Sequence, residues 1–71
     1  MRTTVWTAHC NNRRLTAEVV RADGRWELRL FSQGVLFLWH PCHSPDALLA
    51  CSDVIRGDFI RDGWRVTAVS D

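Results

Sequence analysis

From Thr3 to His40 apolar and polar side chains alternate with a period close to two. Three pairs of turn-forming residues interrupt that pattern: Asn11-Asn12, Asp23-Gly24 and Gln33-Gly34. A period of two is the mark of a half-buried strand, and Asn and Gly tolerate the positive φ that tight hairpin turns require. The pattern therefore predicts four strands, over residues 3–10, 13–22, 25–32 and 35–40, joined as an antiparallel meander in the order 1-2-3-4.

Each two-residue turn fixes a register, and the registers can be compared. The first sets Trp6 opposite Ala17 and Ala8 opposite Leu15; the second sets Ala17 opposite Leu30 and Val19 opposite Leu28. The third sets Leu30 opposite Phe37 and Leu28 opposite Trp39. All of these residues, with Trp26, fall on one face, because a slip of one residue would turn a strand's apolar set to the other side. The other face is expected to carry Val5, Thr7, His9, Arg14, Thr16, Glu18, Val20, Glu27, Arg29, Phe31, Leu36, Leu38 and His40. Glu18 sits opposite Arg29 there, as suits a solvated face. Yet Phe31, Leu36 and Leu38 also gather on it beside the fourth strand.

The period then changes. Ser44 is a good helix N-cap, Pro45 suits the first helical position, Asp46 complements the positive end of the helix dipole, and Gly63 is a natural stop. A helix over residues 46–62 would present Leu48, Cys51, Ile55 and Phe59 as one stripe flanked by Ala47 and Val54, packed on the apolar face of the sheet. Gly57 falls on its far side and weakens it, while Leu49 and Ile60 also lie away from the stripe. Arg65 to Val69 alternates again and offers a short fifth strand, either parallel to strand four or antiparallel to strand one. The expected class is thus α+β: a four-stranded meander with one helix across one face, in one domain spanning residues 1–71.

Composition sharpens this picture. At 71 residues a chain buries only about 60% of its unfolded surface, so a dense core or a partner subunit matters. Four Trp residues supply bulk for such a core. The charged residues are nine Arg and eight acids, with no Lys, for a net charge of +1. Residues 1–43 hold six Arg against Glu18, Asp23 and Glu27 (+3), and residues 44–71 hold three Arg against five Asp (−2). No apolar run suits a signal peptide or a membrane span, and the three Cys read as reduced thiols, so a cytoplasmic protein is expected.

Candidate chemistry is sparse. His40, Cys42, His43 and Cys51 carry metal-ligand atoms, but their spacing fits no zinc pattern, and a meander points them in different directions. His9 and His40 would stand three strands apart, roughly 14 Å. Cys42 beside His43 resembles a thiol and a base, yet neighbours on a turn diverge and so short a chain encloses little. The sequence therefore predicts no enzyme and no cofactor. Arg13, Arg14, Arg21, Arg25 and Arg29, with Phe31, could contact a single-stranded nucleic acid, although Glu18 and Glu27 stand among them.

The reading that these residues favour is a non-enzymatic protein-interaction module. Its expected contact residues are Val20, Arg29, Phe31, Leu36 and Leu38, on an open sheet face beside an edge strand, and its expected partner is a second copy or another protein. The succession of sheet, helix and Gly63-Trp64 resembles many short bacterial and phage proteins. That resemblance implies no fixed function beyond the tendency of such proteins to inhibit another protein by binding it.

Overall fold

A computed structural model describes residues 1–69 of the chain. Among these residues, five strands form one sheet and one helix lies against it: β1 (Arg2–Cys10), β2 (Arg13–Ala22), β3 (Arg25–Ser32), β4 (Val35–Cys42), α1 (Pro45–Arg61) and β5 (Arg65–Ala68). The sheet order is β4-β3-β2-β1-β5, so the meander is as expected. β5 forms, and it pairs antiparallel with β1, Trp6 opposite Ala68 and Ala8 opposite Val66. A hydrogen bond of 3.0 Å from Val69 N to Val5 O extends that edge.

The first two hairpins keep the expected registers, with Ala8 opposite Leu15, Ala17 opposite Leu30 and Val19 opposite Leu28. The turns show positive φ at Asn11, and at both residues of Asp23-Gly24 and Gln33-Gly34. Positive φ at both central residues belongs to the turn type whose twist matches that of a hairpin.

The third hairpin corrects the expected register. Phe31 stands opposite Leu36, but Leu30 stands opposite Leu38, so Phe37 has no partner. One inserted residue is a β-bulge, and everything beyond it changes face. Leu38 and His40, expected outside, fall opposite Leu30 and Leu28 on the helix side; Trp39, expected in the core, falls opposite Arg29 on the outer side. A second bulge sits in β1, where the pairing skips Val5 between Thr4 and Trp6. Val5 consequently packs against the core instead of facing outward.

The helix obeys its end signals. Ser44 Oγ accepts from Ala47 N at 3.1 Å, and Pro45 opens the first turn. At the other end Gly63 takes φ 92°, which a side chain would resist. Gly63 N then donates to Ile60 O at 3.1 Å and Trp64 N to Phe59 O at 3.0 Å, the two bonds of a Schellman stop. The Phe59 and Trp64 rings meet edge-on, with centroids 5.4 Å apart, and close the same turn.

The core lies between sheet and helix. Trp6, Ala8, Leu15, Ala17, Val19, Leu28, Leu30 and Leu48 are buried, with Cys51, Ile55, Phe59 and Val66 packed around them. Val54, expected to flank the stripe, is exposed. Ser52 is the buried polar residue on this side of the sheet, where its hydroxyl meets Trp6.

Candidate interaction face and free edge

The outer side of the sheet carries a second, smaller layer of packing made by charged and aromatic side chains. Arg2 forms an ion pair with Glu18, and its guanidinium carbon lies 5.1 Å from the centroid of the Phe31 ring. Arg29 pairs with Glu27 at 2.6 Å. Glu18 and Arg29 do stand directly opposite each other, but each bonds to a different residue. Trp39 stands opposite Arg29 on this face, and its indole N–H is the foremost cause holding the Glu27 carboxyl below its ordinary pKa, with Arg29 adding to it against the opposing effect of burial.

This layer sorts the expected contact residues. Val20 is buried even in the single chain, opposite Arg2, and offers no surface. Arg29 and Phe31 are half-buried. Leu36 stays exposed on the outer face, whereas Leu38 has turned to the helix side and packs against the core. Trp39 takes the place expected for Leu38.

β4 is also an edge of the sheet, and apart from His40 its exposed side chains are apolar, among them Val35 at 68%, Leu36 at 46%, Phe37 at 49% and Trp39 at 53%. No Asp, Glu, Lys or Arg lies between Val35 and Cys42. The opposite edge, β5, spans four residues, Arg65–Ala68, and begins with an exposed Arg. Shortness and charge are devices that discourage edge-to-edge pairing. β5 has both; β4 has neither.

The other candidate groups come apart. Arg13 and Arg14 lie at the β1–β2 turn, while Arg21 and Arg25 lie at the β2–β3 turn. Nearly the whole length of β2 separates these two pairs, on the order of 25 Å. Arg13 stacks on Trp64 and Arg21 on Trp26, at 5.6 and 5.1 Å from the ring centroids. Among the described residues no group of three or more His, Cys, Asp or Glu is arranged to hold a metal ion. Cys42 and Cys51 both pack against the core, and burial, with a smaller effect of Cys51, pushes the Cys42 thiol up, away from the reactive thiolate. His40 and His43 are exposed. Among the described residues no helix is long and apolar enough to cross a membrane.

Neither a protein family, nor a curated protein, nor a solved structure matches the chain.

Proposed function

We propose that this protein is a small, non-enzymatic interaction module that binds protein through the outer sheet face around Phe31, Leu36 and Trp39 together with the β4 edge. The observation that carries this reading is the concentration of exposed apolar side chains on one uncharged edge strand, Val35, Leu36, Phe37 and Trp39. An open antiparallel sheet faces water comfortably when its outer side is polar. Here Glu18 and Glu27 are buried, and along the β4 side of the face solvent meets the apolar Leu36 and Trp39. Exposed apolar surface beside unpaired backbone is the surface that strand addition and dimer formation use.

The test is the solution mass and partner capture of the wild type against a variant carrying Phe31→Glu and Leu36→Glu. Both substitutions put charge on the outer face and leave the core residues unchanged, so the far-UV circular dichroism should stay native. Association that disappears in this variant supports the proposal. Association that survives it overturns the choice of face, and capture that disappears on nuclease treatment assigns the contact to nucleic acid instead.

A further inference from the structure

Building on that reading, we infer that the occupant of the β4 edge is a second copy of this chain, paired antiparallel about a two-fold axis that passes between Phe37 and Leu38. If the outer face proves not to bind protein, the strand pairing below fails with it; the reverse does not hold.

The outward-pointing backbone groups of β4 follow from the hairpin that joins it to β3. Ser32 and Val35 flank a two-residue turn, so they face each other as the hydrogen-bonded pair that closes it. Pairs in an antiparallel ladder alternate, which directs the N–H and C=O of Leu36 away from β3. Phe37 and Leu38 together oppose Leu30 across the bulge, so the next outward residue is Trp39, and the one after that is Pro41. Pro41 confirms the alternation, because a residue without an N–H belongs where no bond to β3 is required. The free edge thus presents the N–H and C=O of Leu36 and of Trp39, side by side with their exposed side chains.

A two-fold axis between Phe37 and Leu38 sets Leu36 against Trp39 of the other copy and Trp39 against its Leu36. Those are the outward-pointing residues, so both copies satisfy each other's free groups. The same register sets Phe37 against Leu38 and Val35 against His40, and it ends where Pro41 would meet Gly34. Each apolar side chain of the edge meets an apolar side chain or a His, and no like charges face each other, since the strand carries no Arg or acid. The net charge of +1 adds little repulsion between copies. A strand pair of this kind is self-complementary, as an isologous contact must be. A foreign strand would match it only by coincidence of side chains. The contact is small, so the dimer belongs to the weak, concentration-dependent class.

Sedimentation equilibrium over a concentration series tests this, with the wild type and a chemically synthesised chain carrying an N-methyl group on the Leu36 amide. The methyl group removes one outward donor and changes no side chain. The wild type should pass from monomer to dimer with concentration, and N-methylation should weaken the dimer at least ten-fold while circular dichroism stays native. Leu49→Glu, on the exposed side of the helix, should leave the dimer unchanged. A dimer that tolerates the N-methyl group overturns edge pairing and leaves the outer face as the contact. A wild type that stays monomeric to millimolar concentration overturns the second copy as occupant, while the proposed function is still decided by partner capture with the outer-face variant.

Discussion

The Trp6 indole Nε1 donates a 2.9 Å hydrogen bond to Ser52 Oγ, joining the central sheet to the middle of the helix across a buried interface. A buried indole N–H without an acceptor costs about 1–3 kcal/mol. Ser52→Ala should therefore destabilise the domain by that amount, although it removes one oxygen and improves intrinsic helix propensity. Urea unfolding followed by Trp fluorescence measures it. An unchanged midpoint would mean that the bond adds nothing to stability.

Core truncation should be graded by burial. Leu28 is fully buried at the centre of the sheet, and Leu28→Ala should cost on the order of 2–5 kcal/mol through lost transfer energy and the cavity left behind. In a domain of this size that is a large share of the total stability, and the variant is expected to be partly unfolded at room temperature. Ile55 is only partly buried on the helix, so Ile55→Ala should cost less than Leu28→Ala. Thermal unfolding of the two variants side by side gives the order.

The elements and the first two registers were legible in the sequence because they rest on local rules: alternation, turn residues and helix ends. The fold class follows from them. The bulge at Phe37 was not found by counting outward from the Gln33-Gly34 turn, since that count assumes a regular ladder. Pro41 held the missing signal. In an unbulged register Pro41 would fall at a hydrogen-bonded position opposite β3, where its absent N–H cannot serve, and a single inserted residue removes the conflict. Ending the strand at His40 left that signal unused and sent Leu38 and Trp39 to the wrong faces. The Val5 bulge carries no comparable mark. Arg2 was missed because β1 begins one residue earlier than its alternation suggests, and Ser52 because a lone hydroxyl beside an apolar stripe looks solvated until Trp6 is seen to need an acceptor.

Gly57 lies inside the helix with nothing within 4 Å of the position a Cβ would take. Its φ is not in the left-handed region, so an alanine fits the backbone without strain. Gly57→Ala should stabilise the protein by up to about 1 kcal/mol, mainly by lowering the entropy of the unfolded chain. The expected readout is a higher melting temperature with an unchanged circular dichroism spectrum. A lower melting temperature would mean that the glycine serves a contact outside the single chain.

Acid should loosen the outer face before the core. Glu27 has its pKa lowered in the folded state, first by the Trp39 indole and then by Arg29. A carboxyl with a depressed folded pKa contributes stability that is fully present above its unfolded value, near 4.5, and is lost as pH falls through the folded value. Trp39→Phe keeps an aromatic ring and removes the N–H, so the Glu27 titration should move up toward the ordinary carboxyl range and the acid limb of the stability profile should follow it. Carboxyl chemical shifts across the acid range report the first effect, and melting temperature against pH reports the second. Should Glu27 titrate at the same pH in both proteins, the indole does not bond to it in solution. The two outcomes also bear on the edge. A Trp39 anchored by Glu27 is pre-organised for a partner strand above the carboxyl's pKa and released below it, so dimer strength and the Glu27 titration should fall together as the solution is acidified.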